Sequence, residues 1–254
     1  MKLEGKAALV TGSASGIGRA TALALARQGC HVAINYTRSE PEAQATVREA
    51  QTLGVRTVLC RCDVSDDTSV RAMVAACERE LGRLDVVVNA AGTTHFAPAD
   101  DLEAITPEMW DRIFDVNVRG TFLVTRAAAP LLRRSGDGAV VNLASIAGLR
   151  PAAQVIPYAA SKAAVVNMTV AFARILAPQV RVNAVAPGWM QGRWMQAALG
   201  DQYDRLMQRR AERTPLARVA TPEDVAQTVV SLIAHNDFVT GQTVVIDGGY
   251  SLVG

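Results

Sequence analysis

Aromatic side chains are scarce in this chain of 254 residues: three Trp, four Tyr and five Phe make up 5% of it. Histidine occurs only three times, as His31, His95 and His235, with no metal-ligand spacing, and no metal site is expected. The four cysteines, Cys30, Cys60, Cys62 and Cys77, form no C-x-x-C pair, which speaks against a redox motif or a zinc knuckle. Reduced, mostly buried thiols are expected, with Cys60 and Cys62 on one face of a strand. An excess of either charge is also missing. Twenty-six basic against 24 acidic residues leave a net charge of +2, so neither a nucleic-acid footprint nor an acidic tail is present. No run of 18 apolar residues exists, and no membrane span is expected. The opening MKLEGKAALVTG, with Glu4 in it, lacks the pattern of a signal peptide, and a cytoplasmic location is expected. Nineteen Gly and ten Pro are ordinary usage, which argues against collagen-like or disordered chains.

What is there is a chain half hydrophobic and long enough for one full core. Apolar, β-branched runs alternate with longer helical patterns from end to end. The strand-like runs are residues 6–11, 31–35, 56–62, 84–89, 139–143, 180–186 and 243–247. Helical patterns cover 18–28, 41–53, 65–81, 158–176, 193–213 and 222–233, with Ser65 as a candidate N-cap and Gly82 as a stop. A further long helix is expected from its cap at Thr106 toward Arg134, with Pro107 at its first position and Pro130 bending or ending it. Continuous β-branched runs suit strands covered on both faces. The expected fold is therefore α/β: a Rossmann-type doubly wound parallel sheet of about seven strands, helices on both faces, in a single domain spanning 1–254.

The first strand runs into Thr11-Gly12-Ser13-Ala14-Ser15-Gly16-Ile17-Gly18 and then a helix. Small residues there let the backbone approach a pyrophosphate, and N–H groups at the helix start face the anion. The spacing is T-G-x-x-x-G-x-G rather than G-x-G-x-x-G. Further motifs follow in order: Asn89-Ala90-Ala91-Gly92, Asn117, Ser145, Tyr158-x-x-x-Lys162 and Pro187-Gly188. In these motifs, from about Lys6 to about Gly249, the sequence resembles the short-chain dehydrogenase/reductase family in its branch of about 250 residues. It is similar there to 3-oxoacyl-ACP reductase and glucose 1-dehydrogenase-like members.

The resemblance implies a nicotinamide dinucleotide on Gly12, Ser13, Ser15, Gly16, Ile17 and Gly18, with Asp63 and Val64 flanking adenine. It places Asn89 and Gly92 by the ribose side and Pro187 and Gly188 by the nicotinamide, with Ala90 and Met190 also on the cofactor. An acidic residue ending the second strand would select NAD. That strand ends Asn35-Tyr36-Thr37-Arg38; Asn35 is neutral, and Arg38 can pair with a 2′-phosphate. NADP(H) is favoured and NAD(H) remains open, because Arg38 can also be a solvated loop charge and Glu40 lies close by.

Tyr158 and Lys162 are four apart and share a helix face. An ammonium there would lower a phenol pKa otherwise near 10 toward useful proton transfer. Taken alone, Y-x-x-x-K is more often a surface pair. By resemblance, Tyr158 exchanges the proton of a carbonyl or alcohol oxygen and Ser145 orients that oxygen. Lys162 tunes Tyr158 and anchors the nicotinamide ribose, and Asn117 holds a water in a proton relay. Alone, Asn117 reads equally as a helix-bending amide.

Where relatives carry a Thr after Pro187-Gly188, this chain has Trp189-Met190-Gln191-Gly192-Arg193-Trp194, and Gln191 is the candidate substitute. A substrate lid is implied at about 189–213. His95, Ser145, Gln154, Tyr158, Trp189 and Trp194 are the candidate pocket residues, with Trp189, Met190, Trp194 and Met195 either walling an apolar pocket or packing on the lid itself. Three functions stay open: an NADP(H)-dependent ketone or 3-oxoacyl thioester reductase, an NAD(P)-dependent sugar or polyol dehydrogenase working oxidatively, and a non-catalytic cofactor-binding protein. The substrate is a small carbonyl or alcohol. A homotetramer, or a dimer, is implied. An acyl carrier protein partner would need a basic patch, for which Arg126, Arg133 and Arg134 are the candidates.

Overall fold

The computed structural model describes residues 1–96, 101–150, 155–192, 195–196 and 199–253. Seven strands form one parallel sheet: β1 (Ala7–Val10), β2 (His31–Tyr36), β3 (Thr57–Arg61), β4 (Val86–Asn89), β5 (Gly138–Leu143), β6 (Val180–Pro187) and β7 (Thr243–Ile246). Their spatial order is β3-β2-β1-β4-β5-β6-β7. The order reverses between β1 and β4, which opens a crevice at their carboxyl ends. Among the described residues, the eight α-helices are α1 (Gly16–Ala26), α2 (Glu40–Thr52), α3 (Asp67–Leu81), α4 (Pro107–Phe114), α5 (Thr121–Arg134), α6 (Ile156–Leu176), α7 (Tyr203–Glu212) and α8 (Pro222–Ala234).

The two-residue period of each strand divides the core. Ala8, Val10, Val86 and Val88 point into a layer with α1, α2 and α8, while Ala7, Leu9 and Val87 point into one with α3, α5 and α6. The central strands β1, β4 and β5 are buried along their whole length. The edges depart from the expectation of full cover. β3 alternates buried and exposed positions and Val245 of β7 is 43% exposed, because an edge strand has helices over only part of its surface. All four cysteines are free and buried.

Local chemistry moved several boundaries. Ser65 does not cap α3; its hydroxyl bonds Asp63 at 2.6 Å, and Asp66 takes the cap by accepting from Thr68 N–H at 3.1 Å. Gly82 ends that helix in the left-handed region, as expected. Thr106 does cap α4, but the long helix is interrupted by a π-helical stretch, Asp115–Gly120, which holds Asn117. Pro130 sits inside α5 without ending it. Within the expected helix 193–213, a 3-10 turn at Gly200–Gln202 leads into α7. By length and composition α6 would suffice to cross a membrane, the one such helix among the described residues. Here it packs on β5 and β6, with Ser161, Val165, Thr169 and Ala173 buried.

Candidate active site

The carboxyl ends of β1, β4, β5 and β6 open into a cleft of about 1520 Å3. That exceeds a usual small-ligand pocket and leaves room for a dinucleotide with a substrate. The Gly-rich turn forms its floor. Gly12 has φ of +64°, and a side chain there would come within 2.9 Å of the Ala91 backbone. A Cβ on Gly18 would meet the Gly12 carbonyl at 2.5 Å, so α1 packs on the turn only with glycine at that position. Gly16 also has a positive φ, but nothing lies within 4 Å of a Cβ built there, and it faces the cleft. The Ser15 side chain does not cap α1. The open helix start and bare Gly16 fit the pyrophosphate of a dinucleotide.

Ser13 and Asn89 stand behind this floor rather than in it, and Asn35, which lines the cleft, turns its amide inward. Asn35 is 1% exposed: its Oδ1 accepts from Gly12 N–H at 2.9 Å and its Nδ2 donates to Cys62 O at 3.1 Å. Ser13 is fully buried, donating from Oγ to Val10 O at 2.7 Å and from N–H to Asn35 O at 2.9 Å. Asn89 donates to Thr125 Oγ1 and Asn142 Oδ1 at 3.0 and 2.8 Å, tying β4 to α5 and β5. These amides and this hydroxyl set the shape of the turn. Tyr36, Arg38, Asp63, Val64, Ala90 and Gly92 do line the cleft. Arg38 is exposed and has no ion pair among the described residues. Glu40 is instead bound to Tyr36, where burial and then the Glu40 carboxylate push the phenol up. At Asp63, burial would raise the carboxyl, but Ser65 and the Arg112 guanidinium outweigh it and hold the group below its ordinary range.

β5 and α6 build the opposite wall. Leu143 ends β5, and Ser145 follows two residues later with extended backbone, its hydroxyl accepting from Ala147 N–H at 3.2 Å. Tyr158 lies on the first turn of α6 and its hydroxyl is hydrogen-bonded to Ser145. Lys162, one turn on, is 5% exposed; its Nζ donates to Leu143 O at 2.6 Å and lies 5.5 Å from the Tyr158 ring centroid. Burial pushes the Tyr158 phenol up to about 12, against the pull of the Ser145 hydroxyl, and burial pulls Lys162 down to about 8. The phenol is raised where the sequence led to a lowered one, because burial outweighs the hydrogen bond to Ser145. At neutral pH the site holds a protonated phenol beside a protonated amine, an arrangement suited to giving a proton to an oxygen in the cleft.

Asn117 is joined to this wall by its side chain. Oδ1 accepts from Thr93 N–H at 2.8 Å, while Nδ2 donates to Thr93 O at 3.0 Å and Ser161 Oγ at 2.9 Å. Both amide protons are therefore used to clamp the 93–94 loop and α6 together. Gly92 sits between, with a would-be Cβ 3.4 Å from Asn117 Oδ1 and 3.7 Å from Lys162 Nζ.

At the far end, Gly188 is held by Ile246 O and by contact with Asp247, and Pro187, Gly188, Trp189, Met190 and Gln191 line the cleft. His95 is exposed and does not line it; the chain turns there so that Thr94 and Phe96 do. Gln154 and Trp194 lie outside the described residues, as does Arg193. Trp189 is not a bare apolar wall, since the Arg210 guanidinium stands 4.3 Å over its ring. Arg210 and Tyr250 line the cleft without any local motif to announce them, and they reach it only through folding of distant segments.

Residues 12–251 match a family model described as enoyl-(acyl carrier protein) reductase. The chain is 42% identical over 250 residues to a protein of Streptomyces violaceoruber named as ketoacyl reductase 2 of the granaticin polyketide synthase, covering 98% of each. It is 38% identical to the 3-oxoacyl-(acyl-carrier-protein) reductase FabG of Staphylococcus aureus, covering 96% of this chain and 97% of that one. Among solved structures, a gluconate 5-dehydrogenase from Burkholderia cenocepacia in complex with NADP and tartrate superposes with a TM-score of 0.90 at 31% identity, covering 100% of this chain and 98% of that one. With the paired Tyr158 and Lys162 set across from an open glycine turn, these matches have one consequence: the chain belongs to the short-chain dehydrogenase/reductase family, oxidoreductases that act on CH–OH and carbonyl groups with a nicotinamide cofactor.

Proposed function

We propose that this protein is an NADP(H)-dependent reductase of a ketone or 3-oxoacyl thioester, with Asn117, Ser145, Tyr158 and Lys162 as its working set. The observation that carries the reading is the Ser145–Tyr158 hydrogen bond at the mouth of β5, with Lys162 held beneath it by Leu143 O. When bound, the cofactor supplies or takes a hydride. The chain's own residues handle the rest. Ser145 holds the substrate oxygen by its hydroxyl, and Tyr158 gives that oxygen a proton. Lys162, charged below about pH 8, stabilises the phenolate left behind. Asn117 keeps α6 in register with the loop beside Gly92. Residues of about 189–213 act as the substrate lid.

Arg38, free of ion pairs among the described residues and at the cleft edge, supports NADP(H) over NAD(H). Arg38→Ala is expected to weaken NADPH by tenfold or more, about 1.4 kcal/mol, and to leave NADH within twofold, as read by fluorescence titration. Equal losses for both cofactors would remove the phosphate contact from the reading. The reaction itself is tested by following NADPH consumption with ethyl acetoacetate and acetoacetyl thioesters. Turnover of an enoyl thioester instead, or oxidation of polyols alone, would overturn it; the second result would favour the dehydrogenase alternative, in line with the superposed gluconate 5-dehydrogenase.

A homotetramer is the proposed assembly, since α5 and α6 leave Phe122, Val170 and Ile175 at 41, 45 and 65% exposed. An acyl carrier protein finds little free charge on α5. Arg126 is paired with Asp67, Arg134 with Glu78, and Arg133 donates to Ile175 O. A cytoplasmic location is proposed as well.

A further inference from the structure

Arg210 is an unusual lining residue. It projects from α7 into the cleft, its guanidinium carbon 4.3 Å over the Trp189 ring centroid and 5.7 Å from the Tyr250 centroid, and donates to the Tyr250 hydroxyl. Its Nε is buried with no hydrogen-bond partner among the described residues, and no carboxylate there forms an ion pair with it. A half-buried guanidinium without a counter-charge is costly. Two aromatic faces recover only part of that cost. Arg213, three residues on, lines the same cleft, as does Arg150. Of the acids that line the cleft, Asp63 is paired with Arg112 and Glu223 is exposed; Asp247 is occupied by Gly249 and Ser251 N–H groups and has Arg150 beside it.

We infer that Arg210 is a specificity residue that binds an anionic group of the substrate, a carboxylate or a phosphate, at the end of the cleft beyond Gly188. This inference rests on the carbonyl-reductase reading and names its substrate class. Stacking on Trp189 and the bond to Tyr250 hold the guanidinium still, so its unused donors face the ligand at little further entropic cost.

The test compares matched substrates differing in charge. Acetoacetate and ethyl acetoacetate differ by the carboxylate; acetoacetyl-coenzyme A and acetoacetyl-N-acetylcysteamine differ by the phosphates of the carrier arm. The ratio of kcat/KM, anionic over neutral, is expected to fall tenfold or more in Arg210→Gln for the pair whose anion is used, and Arg210→Lys should recover part of it. A drop for the first pair names a substrate carboxylate, for the second a carrier phosphate. Equal losses on charged and neutral partners would reduce Arg210 to a strut for the lid and overturn the inference, as would no loss at all. If no ketone is turned over, the reductase reading fails by itself. Binding of acetoacetate and coenzyme A by the protein, with and without Arg210→Gln, then still decides the anion site: binding lost in the variant supports it, and binding unchanged or absent in both overturns it.

Discussion

Tyr158→Phe is expected to lower turnover on the best carbonyl substrate by about 10²–10⁴-fold while NADPH affinity stays within a few fold. The substitution removes one hydroxyl and keeps the ring under which Lys162 sits. What disappears is the proton donor to the substrate oxygen, needed only as the reaction proceeds, so the loss should fall on kcat rather than on cofactor binding. The pH profile carries a second signature. Lys162 is held down to about 8 by burial, so the wild-type reduction rate should decline as pH rises through about 8 and the ammonium is lost. Tyr158, held up at about 12, stays protonated over the same range and does not cause that limb. In Lys162→Met the rate should be low and show no limb near 8. Near wild-type turnover in Tyr158→Phe, measured by NADPH absorbance, would remove Tyr158 from the mechanism.

Asp85→Ala should cost about 3 kcal/mol of stability, or about 6–12 °C in Tm. Asp85 is fully buried at the start of β4. It accepts from Ala7 N–H at 2.9 Å, from Lys6 at 3.2 Å and from Arg83 at 2.7 and 2.8 Å. It thus joins β1 to β4, the two strands whose divergence opens the cleft. Without the carboxylate the buried Ala7 N–H has no partner. Arg83 and Lys6 are 43 and 22% exposed and can turn to water, which keeps the cost near the low end for a buried pair. Burial alone would raise the Asp85 carboxyl, but Arg83, the Ala7 N–H and Lys6 outweigh it and hold it below the ordinary range. A carboxylate lowered in the folded state adds stability above its unfolded pKa, about 3.9, and that contribution fades as pH falls through the lower folded value. The gap in Tm between wild type and Asp85→Asn should therefore narrow below about pH 4. An acid-independent gap would mean the loss is packing alone.

Much of this protein is written locally. The seven strand runs, the glycine turn before α1 and the Ser145-to-Lys162 stretch were all legible, because strand period, helix period and left-handed glycines act within a few residues. One strand end and the first turns of one helix carry Ser145, Tyr158 and Lys162, so finding those two elements was enough to bring the three side chains together. Other features were decided only by the packed structure. Asn35 and Ser13 sit in the expected cofactor stretch, yet their polar atoms are spent on Gly12, Cys62 and Val10. Sequence position does not show which way a side chain turns. The π-helical break holds Asn117, whose side chain bonds Thr93 and Ser161, 24 and 44 residues away. Local pattern sees none of those partners. Arg210, Trp189 and Tyr250 meet across 61 positions of chain because α7 and the C-terminal turn fold over the end of β6. The chain's own sequence determined the sheet, the glycine turn and the grouping of Ser145, Tyr158 and Lys162; tertiary contact alone determined the charge at the far end of the cleft, since an arginine's field depends on which acids and rings folding places around it.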